Sequence, residues 1–383
     1  MATKHHSSAF KLVQLLASLT SIATCLFVVA HTAPQTGSRW PILAGSGLKR
    51  FATSASFGNW TGTTDGPALP AEVTSGGVPP NPLDVAAAAL AAAAGLTLQD
   101  CLEAAREGHW RRVFNTSDRG TLPLDVASWS ASDVFEYKGE MFSYEWVWGP
   151  QAATCGIRRR SKAEVAATLS GARLLLLGDS HVRYLHNWLA TTLGGKELPK
   201  WTGSGSPIEI NQTIATVNVT MAYLTRNYAI ESKNTLQRWN ELWPDVLVVD
   251  GAEWHLLMHK NLTAYAQTMQ ELLHVLRDVV PPSTFILWLS PPPRDEKKWD
   301  KPELPPEWIR LYDRVAHEVG FYKPTGPAYH LDLYQMGLDC LPWCTTEDGV
   351  HVISTVNEVL LQQVVSMLAL RQAWPFAKQV DSL

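Results

Sequence analysis

Arg173-Leu-Leu-Leu-Leu-Gly-Asp-Ser180-His-Val-Arg183 is the stretch on which the reading of this chain turns. Residues 174–177 form a continuous apolar run of the kind that fills a parallel strand buried on both faces, and residues 181–193 read as the helix that follows. Ser180 therefore stands where a strand ends and a helix begins. A serine hydroxyl is a weak nucleophile at neutral pH; it needs an imidazole to take its proton, and the imidazole needs a carboxylate to hold its tautomer. Asp348-Gly-Val-His351 offers both on one loop, just before an apolar helix over residues 352–370. Gly-Asp-Ser alone is a common tripeptide and Asp348-Gly349 alone is a turn signal, so the weight lies on their context. The pattern predicts Ser180 as nucleophile, His351 as base and Asp348 as orienting acid. His181 and His186 lie nearer in sequence, but a base brought from a distant loop suits the chemistry better.

Outward from this turn the period alternates. Short apolar strands are predicted over residues 246–249, 285–289 and 329–333, and helices over 262–280, 307–319 and 352–370. That alternation argues an α/β fold, a three-layer αβα sandwich with a parallel sheet and its site outside the carboxyl ends of the strands. Asp250 to Trp254 follows the second of these strands. The oxyanion donors are then expected from Ser180 and from Gly251 or Ala252. Arg183 lies one turn into the helix, as either a charge-stabilising group or a surface ion-pair partner. Ser290-Pro-Pro-Pro-Arg294 either lines an acceptor cleft or is a prolyl turn. His255 and His259 have i, i+4 spacing, but a zincin pattern requires glutamate where Leu256 stands, so no metal site is expected.

The chain of 383 residues is 46% hydrophobic, with a formal net charge of -4. It has no basic run beyond Arg158-Arg159-Arg160, which argues against a nucleic-acid partner. Residues 12–30 are apolar with Lys4 and Lys11 before them, which reads as a membrane anchor with a cytosolic amino terminus. A cleaved signal peptide ending near Val28-Val-Ala30 is the competing reading. Residues 31–82 are rich in Gly, Pro, Ser, Thr and Ala, as in a flexible stem. The expected division is 1–31 as cytosolic tail and anchor, 32–83 as lumenal stem, and 84–383 as catalytic domain, with residues 84–106 an alanine-rich helix without an assigned role. Apart from Cys25 in the apolar segment, Cys101, Cys155, Cys340 and Cys344 form an even set suited to two disulfides in an oxidising lumen, in any of three pairings. Asn59, Asn115, Asn211, Asn218 and Asn261 each head a glycosylation sequon.

Several blocks resemble a known family. Tyr144-Glu-Trp146-Val-Trp148-Gly-Pro150, Cys155 and Gly178-Asp179-Ser180 with Arg183 look like the entry to the catalytic domain of plant trichome birefringence-like proteins, in the PC-esterase branch of the SGNH/GDSL superfamily. Upstream, Cys101 with Gly108-His-Trp110 is similar to the opening of that family's amino-terminal region. Pro244-Asp-Val-Leu-Val-Val-Asp250-Gly-Ala-Glu-Trp254 resembles its second block, and Asp339-Cys-Leu-Pro-Trp-Cys344 through Asp348-Gly-Val-His351 and Asn357-Glu resembles its closing segment. The likeness runs in order over about residues 101–370. It implies an SGNH-hydrolase-like fold, the same three catalytic roles, and transfer of acetyl groups to polysaccharide hydroxyls in the Golgi, with addition or removal of acyl esters in related branches. The apolar segment predicts a single-pass type II enzyme, or a secreted one if it is cleaved; no dinucleotide motif, phosphate loop or metal cluster is visible, so no bound cofactor is expected beyond acetyl-CoA or another acetyl ester as acyl donor. This chain departs from the plant pattern: Pro342 stands where a His is usual, its Asp-x-x-His comes later, and Asp250 and Ala252 replace Asn and Gly.

Overall fold

Leu174 to Leu177 are each 2% exposed or less, and alternate residues of this run pack into two different hydrophobic clusters on opposite faces of one sheet. The continuous apolar run thus has the cause assigned to it: a central strand covered on both sides. The computed structural model describes residues 80–114, 135–137, 140–198, 208–299, 306–322 and 325–380.

In chain order the strands are β1 (Gly108–Phe114), β2 (Phe135–Tyr137), β3 (Glu140–Trp148), β4 (Arg173–Gly178), β5 (Glu209–Ile214), β6 (Val219–Thr225), β7 (Val246–Val249), β8 (Phe285–Leu289) and β9 (Ala328–Leu331). The helices are α1 (Pro82–Ala93), α2 (Leu98–Arg106), α3 (Pro150–Thr154), α4 (Lys162–Leu169), α5 (Ser180–Thr192), α6 (Ala229–Gln237), α7 (Glu253–Met258), α8 (Leu262–Asp278), α9 (Pro306–Val319), α10 (Leu333–Leu338) and α11 (Ser354–Val380). The main sheet has the order β5-β6-β4-β7-β8-β9, parallel except for the antiparallel pair β5-β6. Residues of α1, α2, α4, α5 and α11 join one hydrophobic cluster with Leu174 and Leu176, while α6, α8 and α9 join the other with Leu175 and Leu177. This is the three-layer α/β arrangement.

Three expectations need correction. Residues 84–106 are two helices, not one, because Gly95 takes φ 80° and Thr97 opens α2 with a reciprocal capping box to Asp100. Asn81 caps α1 and Pro82 begins it, so residues 82 and 83, placed in the stem, belong to a helix. The last helix runs to Val380, past Pro375. The anchor and residues 32–79 of the stem lie outside the described residues, as do Asn59 and Asn115.

A smaller antiparallel sheet, β1-β3-β2, carries the aromatic block of Tyr144, Trp146 and Trp148. Gly108 sits under Trp146, where a Cβ would approach the indole to 2.5 Å, so only glycine fits. Trp110 packs edge-on against Trp146 at 5.1 Å and donates its indole N–H to the carbonyl of Met336 at 2.7 Å, joining this sheet to α10. The disulfides are Cys101–Cys155 and Cys340–Cys344. Cys101–Cys155 ties α2 to the end of α3.

Candidate active site

Ser180 is the first residue of α5, directly after β4. The preceding Asp179 is the helix cap: its carboxylate accepts from the N–H of His181 at 2.8 Å. Capping at His181 leaves the N–H of Ser180 with no acceptor among the described residues, pointing from a helix N-terminus where negative charge is favoured. Gly178 is required by crowding: a Cβ there would come within 2.5 Å of Val182 and 2.6 Å of the Asp250 carboxyl.

The turn is held from two sides. The Asp179 N–H donates to Asp250 Oδ1 at 3.2 Å, and Tyr223 from β6 donates its hydroxyl to the carbonyls of Gly178 at 3.2 Å and Asp179 at 3.0 Å. Burial raises the Asp179 carboxyl, and burial together with the neighbouring Asp179 charge pushes Asp250 well above the ordinary carboxylate range. Asp250 is therefore the member of the pair that holds a proton more tightly.

His351 Nε2 lies 2.7 Å from Ser180 Oγ, and its Nδ1 lies 2.5 Å from Asp348 Oδ2. The three residues are thus brought into one hydrogen-bonded chain. Burial alone would raise the Asp348 carboxyl, but hydrogen bonds from Thr346, His351 and the backbone N–H groups of Val350 and His351 outweigh it and hold Asp348 well below the usual range. A permanently charged carboxylate on Nδ1 keeps that nitrogen protonated and leaves Nε2 able to take the serine proton. The side chains of Asp348 and His351 remain 50% and 20% exposed, so the chain of groups is reachable from solvent.

His181, by contrast, is buried and held neutral, its pKa pushed down to about 3 by desolvation and the nearby His351. Its ring lies 5.1 Å from that of His351 and Tyr184 packs edge-on at 5.0 Å, so these two shape the seat of the base. His186 is buried beside Tyr223, with its pKa lowered to about 4.

Gly251 and Ala252 follow β7, whose register beside β4 brings them level with the serine turn, and Gly251 packs against the backbone of Ala229. The guanidinium of Arg183 lies 5.5 Å from the Tyr184 ring, and no ion pair of Arg183 occurs among the described residues. Trp254 is half-buried on α7. Residues 290–294 are wholly buried, so this segment does not line an open cleft. Arg294 instead pairs with Glu253 of α7 inside the protein, and the next N–H, of Asp295, donates to the carbonyl of Gly349 at 2.9 Å. That contact anchors the loop bearing Asp348 and His351. His255 Nε2 accepts from the N–H of Ala229 at 3.3 Å, which occupies it structurally. No group of three or more His, Cys, Asp or Glu suited to a metal occurs among the described residues.

Tyr223, Tyr184 and Thr346 were not among the predicted residues, nor was the pairing of Glu253 with Arg294. Only Tyr223 left a signal, the alternating pattern of Val219-Thr-Met-Ala-Tyr-Leu-Thr225, which is the half-buried strand β6.

No protein-family profile matches the chain. A protein of Arabidopsis thaliana named ALTERED XYLOGLUCAN 9 is 19% identical over 255 residues, covering 59% of this chain and 68% of the relative. Among solved structures, LAE5, an alpha/beta hydrolase enzyme from the metagenome of Lake Arreo in Spain, matches with a TM-score of 0.35 and 14% identity over 52% of this chain and 96% of its own. A variant of an acetyl xylan esterase from Geobacillus stearothermophilus gives 0.35 and 12% over 52% and 95%. Superpositions this loose add nothing to the argument. The ordered blocks, which surround a Ser-His-Asp chain of hydrogen bonds, and the match to the plant relative are what this chain has in common with the trichome birefringence-like, PC-esterase branch of the SGNH/GDSL superfamily, which it resembles as a divergent relative.

Proposed function

We propose that the protein transfers acetyl groups to polysaccharide hydroxyls through an acyl-enzyme on Ser180, within the secretory pathway and held at the Golgi membrane by residues 12–30. The observation that carries this reading is the hydrogen-bonded order Ser180 Oγ, His351 Nε2, His351 Nδ1, Asp348 Oδ2. The name of the plant relative concerns xyloglucan, which supports a polysaccharide as acceptor.

In the first half-reaction Ser180 Oγ attacks the carbonyl carbon of an acetyl ester or thioester while its proton passes to His351 Nε2. The oxyanion so formed is met by the N–H of Ser180 and by that of Gly251 or Ala252. The tetrahedral species collapses, the bond to the leaving alcohol or thiol breaks, and that group takes the proton from His351. In the second half a sugar hydroxyl gives its proton to the same nitrogen, attacks the acyl-serine and releases Ser180. Arg183, one turn after the nucleophile, is the group proposed to stabilise negative charge on the donor. No bound cofactor is required by this sequence of steps.

Hydrolysis, with water as acceptor, is the second reading, and the 50% exposure of Asp348 favours it because bulk water reaches the triad. An activated acetyl ester incubated with oligosaccharides and with the Ser180→Ala variant separates the two. Serine-dependent acetylation of a sugar supports transfer; serine-dependent free acetate without acetyl-sugar overturns it in favour of an esterase.

A further inference from the structure

Far from Ser180, at the amino-terminal ends of β4 and β7, a groove of about 280 Å³ is lined by Arg173, Leu175, Asn211, Ala222, Trp239 and Leu242 among others. It lies one strand length from the nucleophile, roughly 20 Å at ~3.3 Å per residue. Leu175, Ala222 and Asn211 stand side by side in register across β4, β6 and β5, so one row of the sheet leads from the apolar interior to the asparagine on the edge strand. Leu242 is 77% exposed and Trp239 half-buried, so the groove presents apolar surface to solvent.

Asn211-Gln-Thr213 is a glycosylation sequon, and period-two alternation puts Asn211 and Thr213 on the same face of β5. Asn211 is exposed and its side chain takes no hydrogen bond among the described residues. Two other exposed sequon asparagines differ: Asn218 lies in the β5-β6 turn with φ 54°, Asn261 caps α8, and neither lines the groove. The volume falls just short of the ~300 Å³ at which small-molecule pockets begin, which suits a single sugar ring better than a polymer. The apolar face of a pyranose matches Trp239 and Leu242, while Thr220, Glu241 and Arg173 offer partners for its hydroxyls.

We propose that Asn211 carries an N-linked glycan whose first sugar ring is seated in this groove against Trp239 and Leu242. The inference rests on the reading of the protein as secretory. The bond forms between Asn211 Nδ2 and the anomeric carbon of a lipid diphosphate-linked oligosaccharide. The lipid diphosphate leaves, and the amide proton goes to a base of the transferring enzyme. The groove thus seals the exposed edge of the catalytic sheet with the protein's own modification.

The full chain, produced in a eukaryotic secretory host, tests this by glycopeptide mapping and by the rate at which an N-glycosidase releases each glycan from the native protein. The expected result is a glycan on Asn211 released roughly tenfold more slowly than that on Asn218, equivalent to about 1.4 kcal/mol. Trp239→Ala or Leu242→Ala should abolish the difference. Should Trp239→Ala fail to fold, Leu242→Ala still decides, because so exposed a side chain contributes little to the core. An unmodified Asn211 beside glycosylated Asn218 and Asn261 overturns the proposal and leaves the secretory reading standing. Absence of glycan from all three overturns both. Equal release rates, or an Asn211→Gln variant that gains binding to soluble polysaccharide through Trp239, overturn the seated glycan.

Discussion

The backbone N–H of Asp179 donates to the carboxyl of Asp250 at 3.2 Å, so the end of β7 holds the turn that carries the nucleophile at the end of β4. Both carboxyls are buried, and burial with the neighbouring Asp179 charge raises Asp250 well above the ordinary carboxylate range.

A carboxyl whose folded pKa lies above its unfolded value binds its proton more tightly in the native state. Its contribution to stability is therefore full below about pH 4, the ordinary unfolded value, and is lost as pH rises towards the folded one. Asp250→Asn removes that loss while keeping an acceptor for Asp179 N–H. Thermal unfolding between about pH 4 and pH 8 should show a shallower decline for Asp250→Asn than for the wild type. A profile parallel to that of the wild type would show that Asp250 is ionised in the folded protein.

Asp348→Asn keeps the shape of the loop but loses the charge that fixes the His351 tautomer. Because Asp348 is half exposed, water compensates in part, and kcat should fall by about 10²- to 10⁴-fold with KM little changed. Steady-state kinetics on an activated acetyl ester measure this; a variant within a few-fold of wild type would remove Asp348 from the account.

Glu253 and Arg294 pair where their side chains are 5% and 0% exposed, and the adjacent Asp295 N–H holds Gly349. Arg294→Met leaves Glu253 buried without its partner and should cost about 3–5 kcal/mol in denaturant unfolding. The double variant Glu253→Leu/Arg294→Met should regain most of that stability but remain slower than wild type, because Arg294 no longer fixes the segment that meets the Asp348–His351 loop. Full recovery of kcat in the double variant would reduce the pair to a packing role.

Asp84 of α1 accepts from both terminal nitrogens of Arg160, at 2.7 and 2.9 Å, in a buried pair. Arg160 is further fixed by Gln362 of α11, which bonds its backbone N–H and carbonyl. Asp84→Ala should therefore destabilise the domain by about 3–5 kcal/mol, visible as a lowered melting temperature. A loss under about 1 kcal/mol would show that α1 is dispensable to the fold.

The apolar strands and the residues of the Ser-His-Asp chain were legible because each has a local cause: a run of buried leucines, a serine after it, an Asp-x-x-His before a helix. The edge pair β5-β6 was not, since half-buried strands alternate weakly; Tyr223 and the groove at Asn211 were lost with it. The break at Gly95 is hidden inside an alanine-rich run whose composition favours helix throughout. The Glu253–Arg294 and Asp84–Arg160 pairs join residues 41 and 76 positions apart, and nothing in either local sequence names its partner.

The central claim is that Ser180 becomes acylated. The full chain is mixed with an activated acetyl ester, quenched in acid within the first turnovers, and the peptide containing Ser180 analysed by mass spectrometry. The account predicts an acetyl group on Ser180 that accumulates in the absence of acceptor, disappears when an acceptor oligosaccharide is added, and never forms on Ser180→Ala. Turnover of the ester with no acetyl on Ser180, or equal turnover by Ser180→Ala, would contradict it.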